Sequence, residues 1–115
     1  MLFRSCADVP SLASNGNGML ITAFQAWITR DVQSEWDRVA VRISPDNGRT
    51  WNDMVFVSFT GLPEGGSRPF DPTIVYNADA QQWRLFFSMG MNGNQLDDTT
   101  CTHSAVSDEI GRAHV

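Results

Sequence analysis

The stretch Ser44-Pro45-Asp46-Asn47-Gly48-Arg49-Thr50-Trp51 constrains this chain more than any other. Ser and Asp side chains hydrogen-bond backbone groups inside tight turns, and Gly supplies a positive φ at little cost. Thr50 and Trp51 are strand formers, and the indole is a large apolar group to bury. Upstream, Val39, Val41 and Ile43 alternate with Ala40, Arg42 and Ser44. Downstream, Val55, Val57 and Phe59 alternate in the same way. Two half-buried strands joined by a side-chain-bonded turn are the arrangement this pattern predicts.

The spacing Ser-x-Asp-x-Gly-x-Thr-Trp resembles the Asp-box (BNR) repeat, the hairpin between the two outer strands of a blade in sialidase-like β-propellers. The resemblance implies an all-β fold of antiparallel blades. It also implies structural roles for Ser44, Asp46, Gly48, Thr50 and Trp51, on the outer rim and away from the active-site end. Gly48→Val should then cost more than a surface change, since β-branched residues resist positive φ.

A repetitive family calls for a second unit. Val9-Pro10-Ser11-Leu12-Ala13 recurs as Asp71-Pro72-Thr73-Ile74-Val75, with the prolines 62 residues apart. The run ending at Phe24 recurs as the run ending at Phe86, again 62 apart, and Arg42-Ile43-Ser44 recurs as Ala105-Val106-Ser107, one residue further on. That period suits a four-stranded blade with long connections. The expectation is two consecutive antiparallel blades, about 8–60 and 70–108, the second incomplete. Strands are expected at Ser11–Ala13, Leu20–Trp27, Arg38–Ser44 and Trp51–Phe59 in the first blade. In the second they fall at Thr73–Tyr76, Trp83–Ser88 and Thr100–Ser107. Asn15-Gly16-Asn17-Gly18 is a hairpin turn.

After Ser107-Asp108 no second box follows. Ile110-Gly111-Arg112-Ala113-His114-Val115 resembles a translated sequencing adapter instead, which implies a non-native tail over 109–115 and a natural chain that continues past 108. Such a tail is expected to make few contacts and no regular pairing.

Closure of a propeller takes about four to eight blades, so two blades would need the remaining blades of the same parent chain as partners. The formal charge of −5 and the absence of a basic stripe argue against nucleic acid. No run of 18 apolar residues is present to span a membrane. The first six residues lack the features of a signal peptide, although a secreted or periplasmic location follows from the resemblance. Cys6 and Cys101 fall at unequal repeat positions, which favours two buried thiols over a disulfide. His103 sits mid-strand without a second native His, so no metal site is expected, and nothing calls for a cofactor.

Propeller topology, as the resemblance implies it, sorts the loops into two ends. The end opposite the box collects Thr29–Asp37, Thr60–Asp71 and Met89–Thr100, the longest and most polar loops. They bring Arg30, Asp31, Glu35, Trp36, Arg68 and Asp97 as candidate substrate-binding residues. Carboxylates can do acid/base work there, and arginines can clamp an anionic sugar. Asp71, within Arg68-Pro69-Phe70-Asp71-Pro72, is the candidate catalytic residue. An Asp-Pro at this place is also similar to five-bladed glycosidases of the arabinanase and invertase kind, where such an aspartate is catalytic.

Sialidases usually open the first inner strand with Arg-Ile-Pro, whose arginine binds the sialate carboxylate; this chain has Asp8-Val9-Pro10. Two functions from different classes therefore stand at this point. One is part of a glycoside hydrolase acting on the ends of glycans; the other is a non-catalytic Asp-box propeller serving as a glycan-binding or structural scaffold. The piece alone is expected to be inactive under either.

Overall fold

The computed structural model describes residues 6–27, 38–65, 69–90, 101–107 and 112–114, with backbone alone at 6–9, 27, 112 and 113. All its regular elements are strands: β1 (Cys6–Ser14), β2 (Leu20–Trp27), β3 (Arg38–Ser44), β4 (Val55–Phe56), β5 (Ser58–Thr60), β6 (Phe70–Asn77), β7 (Gln82–Met89), β8 (Cys101–Ser107) and β9 (Arg112–His114). They form two sheets, one ordered β1-β2-β3-β4 and the other β5-β9-β8-β7-β6. Every pairing is antiparallel except β5 with β9.

The two sheets face each other across one apolar layer. Ile21, Ala23, Val39, Val41 and Ile43 come from the first sheet and Ile74, Leu85, Phe87, Met89 and Ala105 from the second. Period-two alternation puts these residues on one side of each strand. Phe87 and Met89 are each 1% exposed, and full burial of such a side chain stabilises by about 1.5–3 kcal/mol. Phe24, Ala26 and Ala40 cluster with Phe56 on the other face of the first sheet.

Ser11 pairs with Ala23 and Thr73 with Phe86. The inner strands therefore repeat at 62 residues and the second strands at 63. Phe87, not Phe86, is the counterpart of Phe24. Matching Phe24 to Phe86 slips the second strand by one residue, which exchanges its faces. The second hairpin holds one more residue between Thr73 and Phe86 than the first holds between Ser11 and Ala23, and at its tip Asn77 Oδ1 accepts the N–H groups of Asp79 (3.1 Å) and Ala80 (3.3 Å).

The segment after the Ser44–Trp51 turn differs from the single strand expected over Trp51–Phe59. Asn52, Asp53 and Met54 are exposed and follow no ladder, in keeping with the poor strand propensity of Asn and Asp. Single bonds tie the segment to β3 instead: Asn52 N–H to the Ile43 carbonyl (2.8 Å) and Val57 N–H to the Val39 carbonyl (2.9 Å). Phe59 then packs edge-on against Phe87, ring centroids 5.0 Å apart, and β5 belongs to the second sheet. Trp51 is half-buried.

The expectation that the C-terminal residues pair with nothing is overturned. Arg112–His114 run parallel to Ser58–Thr60, and His114 also pairs with Val106 of β8. His114 Nδ1 and Thr60 Oγ1 are 2.6 Å apart. Physically, a strand edge presents a row of N–H and C=O groups, and a backbone ladder forms on such an edge without side-chain complementarity. Cys101 is also corrected: it is exposed at the start of β8 rather than buried.

Candidate functional site

Two ends of the sheets carry different chemistry. At one end the first hairpin turn and the Ser44–Trp51 turn meet, where the Asn47 N–H donates to the Gly18 carbonyl at 2.7 Å. Within the second turn, Asp46 Oδ1 accepts the Ser44 hydroxyl (2.9 Å) and the Thr50 N–H (2.8 Å), and Oδ2 accepts the Thr50 hydroxyl (2.6 Å). Ser44 Oγ accepts the Gly48 N–H at 2.7 Å. Gly48 has φ 91°, and Asn47 beside it has φ 62°. The Thr50 hydroxyl, then the Thr50 N–H, then the Ser44 hydroxyl hold the Asp46 carboxyl below its usual value. All three stabilise the carboxylate. Asp46 is therefore fully used in closing its own turn, and Ser44, at 0% exposed, is its buried anchor.

Asp71 lies at the opposite end. It is the second residue of β6, near the Phe70–Ser88 pair and far from the Asn77–Gln82 pair beside the turn. The β6–β7 register breaks between Phe70 and Thr73, as the β1–β2 register breaks between Asp8 and Ser11. Both inner strands thus bulge at their X-Pro pair, where proline has no N–H to give the ladder. Asp71 is exposed, while Pro72 beside it is fully buried. Its φ of 52° is uncommon for any residue but glycine. Its N–H donates to Gln25 Oε1 of the first sheet at 3.4 Å.

Arg30, Asp31, Glu35, Trp36, Arg68 and Asp97 all fall outside the described residues. Among the described residues no three His, Cys, Asp or Glu side chains come together as metal ligands, and no helix is long and apolar enough to cross a membrane.

Three polar residues near the sheet interface have contacts that sequence reasoning did not anticipate. Gln25 is 8% exposed in a strand whose only other polar residue is Thr22, and a lone amide in such a run was the available signal. Ser11 Oγ accepts the Ile74 N–H at 3.0 Å across the two sheets. His103 stacks on Phe87 with centroids 5.9 Å apart, and its Nε2 is buried without a partner among the described residues.

No family model matches the chain, and no curated protein matches it. Among solved structures it is similar to the Hadza microbial sialidase Hz136, with a TM-score of 0.65 and 20% identity over 93% of this chain. The match covers 25% of the sialidase chain, so this chain spans about a quarter of its length. The architecture is accordingly that of two consecutive blades in a sialidase-like β-propeller, all-β and open rather than closed into a ring.

Proposed function

We propose that this chain is part of a secreted, carbohydrate-active β-propeller, a sialidase-like glycoside hydrolase acting on glycan ends, in which Asp71 is a catalytic carboxylate. The single observation that carries the reading is the setting of Asp71. It is an exposed acid in a left-handed conformation at the head of an inner strand, at the end opposite the Ser44–Trp51 turn. Backbone outliers of this kind concentrate at functional sites, where surrounding structure holds them. On this reading the Ser44–Trp51 turn is an Asp box and purely structural, and the glycan is the ligand. The loops holding Arg30, Asp31, Glu35, Trp36, Arg68 and Asp97 contribute the binding side chains, and further blades of the same parent chain complete the site.

The test starts with the gene on both sides of these 115 codons. The product of the whole open reading frame is then assayed on 4-methylumbelliferyl α-N-acetylneuraminide and α-L-arabinofuranoside. Hydrolysis of either, lost in Asp71→Asn, supports the reading. Glycan binding without hydrolysis would instead support a non-catalytic scaffold.

A further inference from the structure

We infer that Gln25 is a positioning residue for Asp71: its side-chain carbonyl, delivered from the first sheet, captures the Asp71 N–H and holds that backbone in the left-handed conformation. The inference rests on the reading of Asp71 as a site acid.

Three observations converge on it. Gln25 is one of only two buried polar or charged side chains among the described residues, the other being Ser44 within its own turn. A buried amide needs hydrogen-bond partners, and the Asp71 N–H at 3.4 Å is one that its Oε1 accepts. Asp71 has φ 52° and directly precedes Pro72, and the residue before a proline is already driven toward extended backbone. Something outside the strand must therefore favour the left-handed state. The bulge between Phe70 and Thr73 also takes Asp71 out of the β6–β7 register, and Gln25 supplies an acceptor from the neighbouring sheet.

Gln25 itself is held rigidly. It pairs with Asp8 of β1 and with Val39 of β3, so it stands in a central strand with neighbours on both sides. Its direction is set by the ladder rather than by a loop. Three residues further along β6, Ser11 Oγ takes the Ile74 N–H at 3.0 Å. Two side chains of the first sheet thus clamp the inner strand of the second on either side of buried Pro72. Gln25 decides where the Asp71 Cα–Cβ bond points, while Ser11 fixes the strand behind it.

The experiment uses the full 115-residue chain, isotopically labelled, with amide exchange and the HN–Hα coupling of Asp71 read by NMR. Gln25→Met keeps the volume and removes the acceptor. The expected result is roughly fivefold faster exchange at Asp71, the size of one modest hydrogen bond, with a coupling that moves toward extended backbone. Ile74 exchange should hold, because Ser11 is untouched, and the melting temperature should fall by no more than about 4–8 °C, the size of one lost hydrogen bond. Gln25→Glu, which restores an acceptor oxygen, should recover slow exchange. Unchanged exchange and coupling in Gln25→Met would overturn the inference. So would a loss of protection spread over Ile74 and Leu85, since it would mark a packing role alone. Neither readout involves a glycan, so a failure of the proposed function in the hydrolysis assay is seen separately.

Discussion

Ser11 and Ile74 are joined across the two sheets, the Ser11 Oγ accepting the Ile74 N–H at 3.0 Å while the Ser11 carbonyl accepts the Thr22 hydroxyl at 3.0 Å. β6 is the last strand of its sheet, so N–H groups on its outer side have no ladder partner. A side chain of the neighbouring blade supplies one. Ser11→Ala removes the acceptor and leaves a part-buried N–H unpaired, which should cost about 1–2 kcal/mol of stability. Denaturant unfolding of the two proteins measures it, and a change in midpoint with an unchanged slope is expected.

Gly48 and Gly16 separate backbone cost from steric cost. Both have positive φ, 91° and 79°, but a Cβ at Gly48 would meet Leu20 Cδ1 at 3.5 Å, an ordinary contact, while one at Gly16 would meet nothing within 4 Å. Neither site is crowded, so alanine at either should destabilise by a similar amount, about 1 kcal/mol, from backbone conformation alone. Gly48→Val should cost more, up to about 3 kcal/mol, because a β-branched side chain tolerates that region least. Thermal melts of the three variants test the order.

Phe86 and Phe87 test the register. Phe87 is 1% exposed between the sheets and touches Phe59, whereas Phe86 is 37% exposed on the outer face. Phe87→Ala should cost about 3–5 kcal/mol through lost transfer energy and a cavity. Phe86→Ala should cost about 1 kcal/mol or less. Equal losses would contradict the facing described above.

This pair also marks how far the sequence was legible. Local signals were enough for Leu20–Trp27 and Arg38–Ser44, whose observed bounds match the expected ones, because alternation and turn residues act within a few positions. The turn bonding of Ser44 and Asp46 and the positive φ of Gly48 followed from residue type and spacing for the same reason, whereas Thr50, expected as a strand former, instead donates its N–H and hydroxyl to Asp46 within the turn. The one-residue slip at Phe86 came from the length of the second hairpin, which the repeat pattern does not report. β5 crossing to the second sheet depends on Phe59 meeting Phe87, and β9 depends on the edges of β5 and β8 lying to either side of it. Both are tertiary outcomes with no local signature. The place of Asp71 beside Pro72, at the head of β6 and away from the Asn77–Gln82 pair, was legible from the repeat. Gln25 was not, since only the three-dimensional approach of the sheets brings it to the Asp71 N–H.

Asp46 gives the chain a predictable acid response. Its carboxyl titrates below the usual 3.8 in the folded state, first because of the Thr50 hydroxyl. A lowered folded value means the stabilisation is complete above the unfolded value and lost as pH falls through the folded one. Melting temperature should therefore drop as pH is lowered below about 4, and Asp46→Asn should flatten part of that drop. Thr50→Val should flatten it too, by removing the largest cause. A profile with the same acid slope in all three proteins would contradict the assignment.

Asp71 can be tested for function and for strain with two substitutions. Asn shares the tolerance of Asp for left-handed backbone, and Asp71 is exposed, so Asp71→Asn should leave the melting temperature almost unchanged. Glycine pays nothing for φ 52° but gains unfolded-state entropy. Asp71→Gly should therefore also fall close to wild type, from two opposing effects. If Asp71 acts on a glycan in the whole protein, both variants should lose turnover by orders of magnitude while stability holds, because a catalytic carboxylate acts mainly on the transition state. If Asp71 serves only its own loop, turnover on the methylumbelliferyl glycosides should survive in Asp71→Asn. Turnover and melting temperature measured on the same preparations distinguish these outcomes. Retained activity in Asp71→Asn would remove Asp71 from the catalytic role and leave the acids of the neighbouring loops as candidates.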